Sequence, residues 1–327
     1  MRISIVSQNL AEATDVNFDL SHFLENNISG NPDIYVEMSQ EDGRLVNNES
    51  LVDGSILEEN NFKLLIKDSI NGKRTKQNII TSIFIKNHLN AKVLAKGHIA
   101  VPPQPDIWGK LKYTGSFISS FLPNKLGYTK GLLYIKINIK NQNILFLNMH
   151  LPVITKSKNG HPDDITLGFD YRKNVFEKLL IKMMKLKLID STTTVLIGGD
   201  LNFRQDKNGI DQLNVLLREK NGYKTTLTRK LKELSFPKDS HKRITCKFRN
   251  PNKACRTRNM PTGALLANYI SKVQKDCGDK HRIPSRCDRI LIMSPNSINV
   301  NYYRSKFLQQ NSDHNAVLAS IDITPKY

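Results

Sequence analysis

The chain has 327 residues, 39% of them hydrophobic, and a formal net charge of +19. That length and apolar content suit one large globular domain with a sizeable core. No apolar run approaches the ~20 uncharged residues a membrane-spanning helix needs, and the N-terminal MRISIVSQNLAEATD lacks the basic, apolar and small-residue blocks of a signal peptide. So basic a surface attracts anions such as nucleic acid, acidic lipid headgroups or polyphosphorylated small molecules.

In chain order, strand-length apolar runs recur between turn signals. They are ISIVSQN (3–9), DIYVEMSQE (33–41), NIITSIFIK (78–86), GLLYIKINI (131–139), ILFLNMH (144–150) and TTVLIGGDLN (193–202), then RILIMS (289–294) and AVLASIDI (316–323). A hairpin turn is expected at Lys140 to Asn143. Helical spacing over 170–189 puts Val175, Leu179, Met183 and Leu186 on one face, and Asp211 opens a second helix, DQLNVLLREK. The pattern is α/β or α+β, with many strands and helices outside them. No repeat or linker divides the chain, so residues 1–327 form one domain, with a basic surface insertion at about 249–280. The four cysteines, Cys246, Cys255, Cys277 and Cys287, contain no CxxC pair. They are expected as free thiols of a cytoplasmic protein.

The polar residues at the ends of these runs carry the chemistry. Asn9 ends the first run and Glu41 the second; Asn148 and His150 end a third, Asp200 and Asn202 a fourth. Asp288 precedes RILI, and Asp313 and His314 precede the final strand. Singly, each would serve as a turn residue or a solvated side chain. Together they suit metal-assisted hydrolysis of a phosphate ester. Mg²⁺ takes oxygen ligands and retains waters, the attacking water needs an acceptor, and phosphoryl charge needs a donor such as histidine. Neither a GxSxG elbow nor a Cx₅R loop is present, which leaves direct attack by water.

In this order, the motifs resemble the endonuclease/exonuclease/phosphatase (DNase I-like) superfamily, and within it the inositol polyphosphate 5-phosphatases. SDH (312–314), GDLN (199–202), QE (40–41) and NMH (148–150) resemble the superfamily broadly. RIPSRCDRIL (282–291) is similar to the 5-phosphatase signature R-x-P-A-W-C-D-R-I-L, and GDLNFR followed by DQL (211–213) resembles that family's order. FP (236–237) and CKF (246–248) loosely resemble its F-P-P-T-Y-K-F segment.

The resemblance implies a two-sheet β-sandwich flanked by helices in four layers, α/β/β/α, with the site at one edge. It implies Mg²⁺ held by Glu41 with Asn9, and Asp313 organising the metal or His314. Asp200 would activate water, and Asn202 would hold water or phosphate. His314, paired with Asp288, would stabilise the transition state, while His150, positioned by Asn148, contacts the phosphoryl group or the leaving oxygen. Arg282, Lys280, Lys247 and Lys130 are the implied substrate-phosphate contacts. The chain departs from the pattern at Cys246 for tyrosine and Arg286 for tryptophan; NMHLPVI lacks a second histidine, and no tryptophan precedes the GG before Asp200.

The implied activity is Mg²⁺-dependent release of the 5-phosphate from phosphoinositides or inositol polyphosphates. The enzyme would be a cytoplasmic monomer touching anionic membrane through loops at the cytosolic face. Two alternatives stand beside it: a Mg²⁺-dependent nuclease of the same superfamily, suited to the positive charge, and a catalytically silent phosphoinositide-binding module.

Overall fold

A computed structural model of the chain describes residues 1–12, 31–43, 51, 54–70, 78–101, 130–153, 165–204, 210–218, 230–234, 268, 271–272, 275, 285–306 and 312–325. The elements in order are β1 (Arg2–Asn9), β2 (Ile34–Asp42), α1 (Gly54–Glu59), β3 (Phe62–Ile70), β4 (Asn78–Lys86), β5 (Ala91–Val101), β6 (Lys130–Ile139) and β7 (Gln142–His150). They continue with α2 (Ile165–Lys185), β8 (Thr193–Asp200), α3 (Gln212–Arg218), β9 (Lys232–Glu233), β10 (Asp288–Met293), β11 (Ser297–Lys306) and β12 (Ala316–Thr324).

Twelve described strands form two six-stranded sheets, ordered β11-β12-β1-β2-β4-β3 and β5-β6-β7-β8-β10-β9. Alternation along each strand decides the layering. Ile3, Ile5, Val36, Ile83 and Ala319 of the first sheet pack against Ile135, Phe146, Leu196 and Ile290 of the second, forming the central core. The opposite face of the second sheet, with Leu145, Leu147, Ile197 and Leu291, is covered by Phe176, Leu179, Leu180 and Met183 of α2 and by Leu213 and Leu216 of α3. On the outer face of the first sheet, Val6, Tyr35, Phe84 and Leu318 meet Leu51 and Leu57. This is the expected sandwich of two mixed sheets with few helices.

The expected strands all appear, and so does the hairpin turn, where Lys140 and Asn141 adopt φ of 48° and 60° between paired Ile139 and Gln142. Three substantial strands, β3, β5 and β11, were not expected from sequence. Lysine, asparagine and small residues interrupt their apolar pattern, and each lies at an edge of its sheet, where one side faces solvent. The long helix starts and stops earlier than its spacing suggested, over Ile165–Lys185. Leu186 therefore falls beyond it and is exposed, and Phe176 and Leu180 take its place in the buried face. Asp211 does open α3, as an N-cap: its Oδ1 accepts hydrogen bonds from the backbone of Leu213 (3.0 Å) and Asn214 (3.4 Å). Most of the basic stretch 249–280 lies outside the described residues.

Candidate active site

One edge of the sandwich gathers the polar strand ends, and pairing direction explains why. β1 and β2 run parallel, as do β7 and β8, so Asn9, Glu41, His150 and Asp200 emerge at C-terminal ends on the same side. β6, β10 and β12 run antiparallel to these neighbours, so Lys130, Asp288 and His314 enter at the same edge. In register, His150 stands opposite Asp200, and Asp200 opposite Asp288.

Local backbone geometry then aims the side chains inward. Alternation along β2 would direct Gln40 into the sandwich and Glu41 away from it. A register shift between Ser39 and Asp42, with Glu41 at φ 48°, rotates Glu41 into the site. Gly199 sits at φ 133°, where a Cβ would lie 1.9 Å from the Met149 carbonyl oxygen. Only glycine allows β8 and β7 to approach so closely just before Asp200. Asn202 holds φ 52°, and its backbone N–H donates to Asp200 Oδ1 at 3.0 Å.

The centre is a buried dyad. His314 Nδ1 lies 2.8 Å from Asp288 Oδ2, with both side chains fully buried. Its other nitrogen, Nε2, faces Asp200 Oδ2 at 3.9 Å and Asp313 Oδ1 at 3.5 Å. A carboxylate on one ring nitrogen fixes the tautomer and leaves the other for the site. The backbone of His314 is held from both sides: Gln8 Nε2 donates to its carbonyl at 3.2 Å, and its N–H donates to Ser312 Oγ at 3.0 Å. The Ser312 hydroxyl in turn donates to the Asn9 carbonyl at 2.6 Å.

On the opposite flank, Lys130 Nζ lies 3.0 Å from Glu41 Oε1 and against Nε2 of His150. His150 Nε2 is 3.4 Å from Glu41 Oε1 and 3.5 Å from Asp200 Oδ2. Burial above all, reinforced by the Lys130 ammonium, pushes His150 down to about 3, against the opposing pull of Glu41 and Asp200. His150 is thus neutral near pH 7, and these are polar contacts rather than ion pairs. In that state the ring offers one N–H and one lone pair.

Three expected site residues make hydrogen bonds that also tie the frame together. Asn148 joins the two sheets: its Oδ1 accepts from Gln40 Nε2 (2.8 Å), and its Nδ2 lies within 2.8–3.2 Å of Ile80 O, Ser39 O and Thr81 Oγ1. Its place is behind His150, supporting it. Asn202 Nδ2 donates to the Leu151 carbonyl at 2.9 Å, tying the ends of β7 and β8. Asn9 Nδ2 donates to Asp200 Oδ2 at 3.1 Å and its Oδ1 accepts from Ala11 N at 3.0 Å. That oxygen keeps a second lone pair for a cation.

The donor set fits a hard divalent cation. Carboxylates dominate it: Asp200, Asp288 and His314 each offer an atom within 4.8 Å of the others, all buried. Glu41 and Asn9 stand beside Asp200, and Asp313 beside His314. Oxygen-rich ligands of this kind suit Mg²⁺ or Ca²⁺ over softer metals.

Composition and motif do not reveal two features. Arg286, which stands where the resembled signature has tryptophan, is buried and paired with Glu233 at 2.5 Å. Cys287, the only cysteine among the described residues, is disulfide-bonded, which corrects the free-thiol expectation for it. Its partner lies outside the described residues, as do Lys247, Lys280, Arg282 and Cys246. Of the four implied substrate cations, Lys130 alone is described, and it is inside the site.

Comparison with known proteins follows the same lines. A structure of the inositol polyphosphate 5-phosphatase domain of SpSynaptojanin in complex with inositol (1,4)-bisphosphate and calcium ion is 19% identical, over 98% of this chain and 85% of that one, with a TM-score of 0.51. It covers 99% of its length against Cimex nitrophorin, a ferrous NO complex (14% identity, 98% of that chain, TM-score 0.53). A third similar structure is D. rerio TDP2 with a single-strand DNA product (15% identity, 98% of this chain, 99% of that one, TM-score 0.48). No curated protein matches the sequence significantly. The first two likenesses show the fold. The model of Endonuclease/Exonuclease/phosphatase family 2 matches residues 6–320, nearly the whole chain, and the protein belongs to that family.

Proposed function

We propose that this chain is a divalent-metal-dependent phosphomonoesterase that releases the 5-phosphate of phosphoinositides or inositol polyphosphates by direct attack of water. The observation that carries the reading is the buried His314–Asp288 dyad facing Asp200 across 3.9 Å. Burying two carboxylates and a histidine together costs stability unless they are paired. A module that only bound a headgroup would gain nothing from them. Nitrophorin shares the fold in a ferrous NO complex, so fold alone does not argue for hydrolysis; the residues do.

Asp200 accepts the proton of the attacking water as the new P–O bond forms. The P–O bond to the inositol breaks, and the departing oxygen takes a proton from solvent while Asp200 later returns its own to solvent, giving alcohol and inorganic phosphate. His314, in its imidazolium form with Nδ1–H on Asp288, donates from Nε2 to a phosphoryl oxygen. His150, neutral, and Lys130 contact the phosphate from the other flank. A divalent ion held by Glu41, with Asn9 and Asp313 nearby, would supply charge stabilisation when bound. The RIPSRCDRIL segment supports the inositol substrate, and so does the inositol (1,4)-bisphosphate named for the SpSynaptojanin domain.

The net charge of +19 favours a second reading, cleavage of nucleic acid. A panel of inositol phosphates, phosphoinositide vesicles and plasmid, each with Mg²⁺, separates the two. Phosphate release from 5-phosphorylated inositols, reduced about 10²–10⁴-fold by Asp200→Asn, is the expected result. Plasmid cleavage without phosphate release would replace it with the nuclease. The Cys287 disulfide supports an oxidising compartment over the cytosol, and labelling of thiols in protein from its native source tests that.

A further inference from the structure

Beneath the site, a second polar cluster is built on charges the reaction does not use. Glu233, on the two-residue strand β9, stands beside Leu291 of β10. Its Oε1 accepts from Arg286 at 2.5 Å and from the Tyr303 hydroxyl at 3.1 Å, and its Oε2 accepts from Arg289 at 2.8 Å. Arg289 is fully buried. It also donates to its own chain at the Arg286 carbonyl (2.5 Å) and to Asp211 Oδ2 (2.8 Å), the residue that caps α3. Asp211 and Glu233 hold the Arg289 guanidinium protonated against burial.

Arg286 and Arg289 bracket Cys287 and Asp288. One carboxylate, Glu233, therefore grips both ends of the four-residue segment that carries Asp288 into the sheet. The same segment touches the other half of the site through its backbone, since the Cys287 carbonyl accepts from Leu201 N at 2.9 Å, between Asp200 and Asn202. Bidentate and charge-assisted bonds fix geometry better than neutral ones. At Arg286 the 5-phosphatase signature has an aromatic, whose packing cannot engage a carboxylate in this way.

We propose that Glu233 is a positioning residue: by clamping Arg286 and Arg289 together it sets Asp288, and through it His314, in register with Asp200. Arg286 is thereby part of the site's support and not a substrate clamp. The kinetic part of the test rests on the hydrolase reading; the spectroscopic part does not.

The experiment compares wild type, Glu233→Gln, Arg286→Met and the double variant. It reads kcat and KM on a 5-phosphorylated inositol, thermal unfolding, and the downfield proton resonance of His314 Nδ1–H, assigned by its loss in His314→Asn. Expected for folded Glu233→Gln are a kcat at least tenfold lower, KM within twofold of wild type, and a shifted or exchange-broadened resonance. The double variant, in which the clamp is equally lost, is expected to have a kcat no higher than Glu233→Gln. An unmoved resonance in folded Glu233→Gln overturns the proposal, as does a loss confined to KM or a double variant with wild-type kcat. Should Glu233→Gln not fold, Arg286→Met decides, since it leaves both ion pairs of Arg289 intact. A fivefold loss of kcat with a shifted resonance supports positioning, and wild-type values for both overturn it. If wild type turns over no inositol phosphate, the functional reading fails and the resonance alone judges Glu233.

Discussion

His150 gives the most quantitative handle on the site. In the folded chain burial, aided by Lys130, holds its pKa at about 3, against 6.5 for an unperturbed histidine. The unfolded chain therefore takes up this proton first as pH falls. Stability from His150 is fully present above about pH 6.5 and drains away toward pH 3. With those two values, lowering pH from 7 to 5 costs about 2 kcal/mol from this residue alone. Other groups titrate over the same range, so the informative quantity is the difference between wild type and His150→Gln, which keeps a polar side chain without the titration. Urea unfolding of both proteins in chelator at pH 7, 6 and 5 measures it. The wild-type curve is expected to fall about 2 kcal/mol more than the variant's between pH 7 and 5. Parallel curves would show that folded His150 takes up its proton as readily as unfolded His150. They would refute its assignment as a neutral hydrogen-bonding group.

Two further outcomes test the frame. Gly199→Ala is expected to destabilise the fold by at least about 2 kcal/mol, from backbone strain and collision together, because its Cβ would sit 1.9 Å from the Met149 carbonyl oxygen; chemical denaturation measures this, and a neutral variant would mean β7 and β8 can separate. Reducing the Cys287 disulfide, or making Cys287→Ser, is expected to lower stability by about 2–4 kcal/mol, read by the same titration with and without a thiol reductant; an identical midpoint under both conditions would show that the bond contributes nothing to the fold.

Much of this architecture was legible in the sequence because one physical rule, the period of two, governed both the core and the site. Uninterrupted apolar runs such as TTVLIGGD and RILIM are buried on both faces, and their flanking polar residues mark the sheet edge. Edge strands were harder. In AKVLAKGHIAV, lysines and small residues fit a half-exposed strand as well as a loop, and only pairing with β6 decides between them. Motif order brought Asp288, Asp200 and His314 to one place. Motif order could not tell a contacting group from a supporting one. Asn148, expected to position His150, bonds across the two sheets, and Asn202, expected to hold water or phosphate, bonds the Leu151 carbonyl; neither set of partners is legible in a motif. Arg286 was legible only as a departure from the signature tryptophan, because its partner Glu233 lies 53 positions away in sequence, a separation no local pattern reveals.

The backbone itself separates frame from site. Of the eight described non-glycine residues at positive φ, Ala11, Glu12, Glu41 and Asn202 lie at the edge where the polar residues converge. Such conformations each cost of order 1–3 kcal/mol and persist only where the surroundings over-determine them. Here those surroundings are identifiable. Glu12 N donates to the Glu41 carbonyl, Leu10 N to the Gln40 carbonyl, and Asn202 N to the Asp200 carboxylate. A sandwich needing only a stable edge would end its strands in ordinary turns. This one bends β2 so that Glu41 faces inward beside His150, and bends the chain after β8 so that Asp200 keeps a backbone donor on Oδ1 while Oδ2 faces Asn9, His150 and His314. The other four, Asn61, Lys140, Asn141 and Lys187, lie away from this edge, two of them in the β6–β7 hairpin turn; the four at the edge are the ones that accompany the aiming of Glu41 and Asp200.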